Sequence, residues 1–152
     1  PSHAKIAAEF SRVTRPGGLV IVHLCSQEQV INGFWFRELF PDAFERLRQR
    51  IISIPNLLRL LESAGLAHVG SVVPLDAVFQ GYAYFDALGP LDETWRRGDS
   101  VFALSTDTEL ESGCAQLRAM EADGTLTQFM AAADAQRRQI GQVTFVCCRK
   151  EV

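Results

Sequence analysis

The chain has 152 residues, 47% of them hydrophobic and 22% charged, with a net charge of −3. That size and composition fit one globular domain with a sizeable core. The charge gives no electrostatic footprint for nucleic acid or an anionic membrane, and no run approaches the roughly 20 apolar residues of a membrane-spanning helix. Neither kind of partner is therefore expected. The four cysteines, Cys25, Cys114, Cys147 and Cys148, show neither a C-x-x-C pair nor a zinc spacing. They read as reduced, mostly buried thiols of a cytoplasmic protein, with no metal site.

In chain order, Ile6, Phe10 and Val13 recur on one face of a first helix. Pro16 cannot continue that helix, and Gly17-Gly18 can turn the chain sharply into a strand over 18–24. Near-continuous Val, Ile and Leu in that strand suit a sheet covered on both faces. Ser26 is placed to cap a helix over about 27–39, and Pro41 restarts the chain into a second helix through Phe44, Leu47 and Ile51. Pro55-Asn56 opens the next helix, Gly65 terminates it, and 67–75 reads as a strand.

Residues 76–99 are irregular and aromatic, with Phe79, Tyr82, Tyr84, Phe85 and Trp95. Thr106-Asp107-Thr108-Glu109 is a capping box opening a helix that Asp123-Gly124 stops. A further helix buries Leu126, Phe129, Met130 and Ala133, and Gly141-Gln142 leads into a last strand, 143–148. Its alternation leaves both faces largely apolar, which predicts a central position in the sheet.

Arg12-Val13-Thr14-Arg15-Pro16-Gly17-Gly18, followed by Leu19–Leu24, resembles the Arg-Val-Leu-Lys-Pro-Gly-Gly passage of class I S-adenosylmethionine-dependent methyltransferases, with Thr14 and Arg15 in place of Leu-Lys. Leu60-Leu61-Glu62-Ser63-Ala64-Gly65-Leu66 resembles the Leu-Leu-x-x-Ala-Gly-Phe signature between that family's fifth and sixth strands. The resemblance implies an α/β, partial Rossmann-like fold. Its mixed three-strand sheet has 18–24, 143–148 and 67–75 in spatial order, the middle strand antiparallel to both neighbours. Residues 1–152 then form a single domain, with a helical cap inserted over about 79–138. Trp95-Arg96-Arg97-Gly98-Asp99-Ser100, with Gly141–Phe145, is similar to a subgroup carrying an enlarged substrate-side cap.

In that family a glycine-rich loop and an acidic residue in the first half of the domain hold the cofactor. Here no G-x-G occurs and the chain opens on Pro1. The expectation is therefore the C-terminal half of a methyltransferase, truncated or proteolytically cut. The parent would methylate a small molecule from S-adenosylmethionine, and this half would bind none and be inactive alone.

Ligands of open α/β sheets sit beyond the carboxyl ends of the parallel strands. His23 there is the candidate general base. Cys25, Ser26 and Gln27, with Trp35, Arg96 and Asp99, are the candidate substrate contacts. Each also has an ordinary structural use: strand end for His23, helix cap for Ser26, core for Trp35. A non-enzymatic association module is the competing reading, and a Cys or Ser hydrolase a weaker one, lacking a G-x-S-x-G elbow. The missing half would leave the edge of 18–24 unpaired, which predicts a homodimer across it.

Overall fold

A computed structural model describes residues 2–151. Helix α1 (His3–Val13) leads into strand β1 (Leu19–Leu24). Gly17, at φ +73°, makes the turn; its N–H donates to the Lys150 carbonyl at 3.0 Å, and Lys150 N–H donates to the Gly18 carbonyl at 2.9 Å. The glycine turn thus extends the ladder beyond β1 and carries strand β3 (Thr144–Lys150) two residues past its expected end.

Helix α4 (Ile54–Ser63) precedes β2 (Leu66–Val72). Ser53 caps α4, its Oγ accepting from Asn56 N–H at 3.4 Å. The sheet order is β1-β3-β2, with both ladders antiparallel. β1 and β2 therefore run in the same direction on either side of β3, as the sequence led us to expect. β2 stops three residues short of the expected Leu75. Its ladder is bulged between His68 and Gly70, and Pro74 beyond it has no N–H to donate.

The long helix expected over 27–39 is two pieces: α2 (Gln27–Asn32) and a 3-10 turn at Trp35–Leu39. Gly33 breaks it. Its N–H still reaches the Gln29 carbonyl at 2.8 Å, but a Cβ there would stand 2.5 Å from that same oxygen. Phe34 then turns extended, at φ −126° and ψ 121°, and aims Trp35 and Phe36 inward. α3 (Pro41–Arg50) follows, with Pro41 at its first turn.

Between β2 and β3 the chain is mainly helical: short turns around α5 (Glu93–Arg96), then α6 (Asp107–Asp123) and α7 (Leu126–Ile140). The capping box of α6 is formed as expected.

Two cores result. One lies between the sheet and α1 with α4, where Ala7, Leu61, Leu66, Val146 and Cys148 are buried. The other is aromatic and joins α2, α3, α6 and α7 through Trp35, Phe36, Phe44, Tyr84 and Phe102. Phe36 sits 5.4–5.7 Å, centroid to centroid, from five other rings. The second face of the sheet differs from expectation. Among the described residues it stays open, with Leu19, Ile21 and Val72 at 53%, 59% and 59% exposure. No helix in this range is long and apolar enough to cross a membrane.

Candidate functional site

β1 and β2 both end on the side where the chain turns to Cys25 and to Phe79–Gln80. A cavity of about 550 Å³ opens there. Its apolar wall is Val30 and Phe34 from α2 and its end, Leu47 and Ile51 from α3, and Phe79. Its polar groups are Cys25, Gln80, Asp99 and Ser100. A mostly apolar hollow of this size with a few converging polar groups has the character of a small-molecule site.

Asp99 is fixed from two sides. Its Oδ1 accepts from Val101 N–H at 2.9 Å and its Oδ2 from Gln80 Nε2 at 2.5 Å. Burial raises its pKa, and the Val101 hydrogen bond only partly offsets this. Gln80 must turn its amide nitrogen to the carboxylate, which offers only acceptors. Its Oε1 is then aimed elsewhere, buried and without a donor among the described residues. A buried acceptor left unpaired costs about 1–3 kcal/mol.

Burial, reinforced by the Asp99 carboxylate, pushes the Cys25 thiol up to about 12. Cys25 is therefore a thiol, not a thiolate nucleophile, at neutral pH. Alkylation of Cys25 by iodoacetamide is expected to stay slow to about pH 9 in the folded chain, and to follow an ordinary thiol of pKa about 8.5 in the unfolded chain. Peptide mapping across a pH series reads this; rapid labelling of the folded chain near neutrality contradicts it.

The other residues singled out in the sequence lie elsewhere. His23 is on the open sheet face, stacked between Phe79 at 4.9 Å and Phe145 at 4.6 Å. It touches a cavity-lining ring without lining the cavity. Ser26 caps α2: its Oγ accepts from Gln29 N–H at 3.1 Å, and its own N–H donates to Gln29 Oε1 at 2.8 Å. Gln27 Nε2 donates to the Arg48 and Ile51 carbonyls, tying α2 to the end of α3. Trp35 is 1% exposed and donates to the Tyr84 carbonyl at 2.7 Å. Arg96 Nη1 donates to the Pro90 carbonyl at 2.8 Å and borders a separate depression beyond Asp99. Of the set, the structure brings Cys25 and Asp99 together in the cavity.

Three glutamines escaped the sequence reading. Gln80 is one. Gln29 is another: its Nε2 donates to the Ile140 and Val143 carbonyls and its Oε1 accepts from Thr144 Oγ1 at 2.9 Å. Ser26-Gln27-Glu28-Gln29 is itself a capping-box pattern, so Gln29 carried a readable signal. Gln142 is fully buried; its Nε2 donates to the Gly33 carbonyl at 2.8 Å and its Oε1 accepts from Phe79 N–H. Gln29 thus ties α2 to the start of β3, and Gln142 ties the Gly33 break to the cavity-lining Phe79.

No family model matches the chain, and no curated protein matches it significantly. Among solved structures it is similar to a protein from Anabaena variabilis provisionally described as a methyltransferase from an antibiotic biosynthesis pathway. The TM-score is 0.77 at 18% identity, covering 97% of this chain and 61% of that one. A protein from Galdieria sulphuraria, provisionally described as a sarcosine dimethylglycine methyltransferase, aligns with a TM-score of 0.45 at 12% identity, over 99% of this chain and 48% of that one. That score is too low for any argument to rest on it. The first likeness defines the class of fold: a Rossmann-like α/β arrangement of the kind a methyltransferase structure has. The chain spans about three-fifths of that structure's length.

A nucleoside donor in such a fold needs free backbone N–H groups and a carboxylate for its ribose hydroxyls. At the carboxyl end of β1, the Ser26 and Gln29 N–H groups are already taken by the cap, and Asp99 is engaged by Val101 and Gln80. Of these groups, neither the Ser26 and Gln29 amides nor Asp99 is free to hold S-adenosylmethionine.

Proposed function

We propose that this chain is the C-terminal, substrate-side portion of an S-adenosylmethionine-dependent methyltransferase that acts on a small molecule, with the cap over about 79–138 helping to enclose the acceptor. The observation that carries this reading is the cavity at the carboxyl ends of β1 and β2, lined by Cys25, Gln80 and Asp99. It lies where open α/β sheets bind ligands. The donor is held by a part of the domain beyond these residues, and the chain alone does not turn over. His23 stays the base candidate for the parent only if its stack with Phe79 opens.

Calorimetric titration of the isolated chain with S-adenosylmethionine is expected to give no saturable heat to about 1 mM, a standard binding free energy no better than about −4 kcal/mol. A micromolar dissociation constant would place the cofactor site within this chain and overturn the reading.

One further observation favours association. Among the described residues β1 pairs only with β3, so its outer edge is free, next to the open face bearing Leu19 and Ile21. In isolation the chain is proposed to form a two-fold dimer across β1. Light scattering over a dilution series should give twice the chain mass at high concentration. A stable monomer throughout refutes the dimer.

A further inference from the structure

The cavity's polar end does not choose a ligand by its hydrogen bonding. The Ser100 hydroxyl and the Cys25 thiol can donate there, and the Asp99 carboxylate accepts. Selection falls to the wall, which carries two rings, Phe34 and Phe79. Phe34 is 9% exposed and already packed against Phe36 and Phe44. Phe79 is placed differently. One face of its ring lies on His23, 4.9 Å away and 12° from parallel, and His23 lies on Phe145, 4.6 Å away and 10° from parallel. His23 and Phe145 are partners across the β1–β3 ladder. The three rings form a pile along the open sheet face, with Phe79 at its end. Yet Phe79 stays 52% exposed. A ring with one face covered keeps that much surface only if its other face is bare. Its backbone is fixed: the Phe79 N–H donates to Oε1 of the fully buried Gln142, whose Nε2 holds the Gly33 carbonyl. The platform is in place before a ligand arrives, which lowers the cost of binding.

We propose that the cavity takes a flat aromatic molecule whose ring stacks on the bare face of Phe79, as the next ring of the pile that starts at Phe145. A parallel, offset ring gains attraction beyond its buried area, and a saturated ring of the same skeleton gains the area alone. This rests on the methyltransferase reading only in taking that molecule as the methyl acceptor.

Two pairs of uncharged probes test this on the chain as it stands: 4-propylphenol against 4-propylcyclohexanol, and 4-propylanisole against its ring-saturated methyl ether. Each pair shares a carbon skeleton and a polar group and differs in the flat ring. Affinities are read by NMR from the Val30, Leu47 and Ile51 methyl groups, and the stack from nuclear Overhauser contacts between probe and Phe79 ring protons. In both pairs the aromatic member is expected to bind about threefold to tenfold more tightly, the scale of one aromatic pair. Phe79→Leu keeps the backbone anchor and is expected to bring both ratios to about one, while moving the saturated probes by less than about twofold. Equal or weaker binding of the aromatic members, or no binding of either member, overturns the proposal on the unmodified chain. A preference confined to the phenol pair would assign selection to the hydroxyl and overturn it as well, as would a preference that survives in Phe79→Leu. If that variant does not fold, probe contacts to Phe34 without contacts to Phe79 decide against the stack. A ring preference with no methyl transfer by the parent polypeptide would leave this inference standing and remove the methyltransferase reading. Methyl transfer by the parent to saturated acceptors alone would do the reverse.

Discussion

Replacing Trp35 with alanine is expected to destabilise the chain by about 3–5 kcal/mol, a large share of the 5–15 kcal/mol that holds a typical domain folded. The indole is 1% exposed. Its ring stands edge-on to Phe36 at 5.4 Å and to Phe129 at 6.5 Å, so it joins the 3-10 turn to α7. Its Nε1 donates to the Tyr84 carbonyl and so pins the irregular segment after β2 to the helical core. Alanine removes the volume and strands that carbonyl. Trp35→Phe separates the two effects: it keeps most of the packing, loses the donor, and is expected to cost about 1–3 kcal/mol. Urea denaturation measures both. A loss below about 1 kcal/mol for the alanine variant would mean Trp35 does not anchor that core.

Arg137→Ala is expected to cost about 3 kcal/mol or more near neutrality, as removing one partner of a buried ion pair does. The Arg137 side chain is 2% exposed and the Asp134 side chain 17%. The guanidinium donates to Asp134 Oδ1 at 2.7 Å and to the Leu75 carbonyl at 2.8 Å, and lies 5.9 Å over the Tyr84 ring. Burial pulls the Asp134 pKa up, but hydrogen bonding and charge from Arg137 and then Arg138 outweigh it, and the carboxyl ends below its ordinary value. A depressed carboxylate contributes stability above its unfolded pKa of about 3.9 and loses it as pH falls toward the folded value. The gap between parent and variant should therefore narrow in acid. A gap constant from neutral pH to below about pH 3 would assign the cost to packing instead.

The two halves of the fold differ in how readable they were. β1, β2, β3 and their order follow from apolar runs bounded by Pro16-Gly17-Gly18, Gly65 and Gly141, and from the methyltransferase-like motifs around them. The apolar run in β1 does not disclose that one sheet face is open, because an uncovered face and a covered one are written in the same residues. The break at Gly33 was hidden because Val30, Phe34 and Trp35 keep helical spacing through it, and the close approach to the Gln29 carbonyl that requires a glycine there leaves no mark in that spacing.

The site was partly legible. Cys25 and Asp99 stood out by their places at a strand end and after a turn. Gln80 and Gln142 did not. Their partners lie 19 and 109 residues away, and an amide bonding over such distances leaves no periodic mark. Gln29 was readable only in its capping box with Ser26, not in its reach to Val143, 114 residues away. His23 drew attention by residue type and position, yet its ring is committed to an aromatic stack.

The most direct measurement is a crystal structure of the parent polypeptide with S-adenosylhomocysteine bound. The expected result is a strand from beyond these residues paired along the outer edge of β1, with the cofactor's sulfur opening onto the cavity lined by Cys25, Gln80 and Asp99. A nucleoside seated away from that cavity, or β1 still unpaired in the parent, would contradict it.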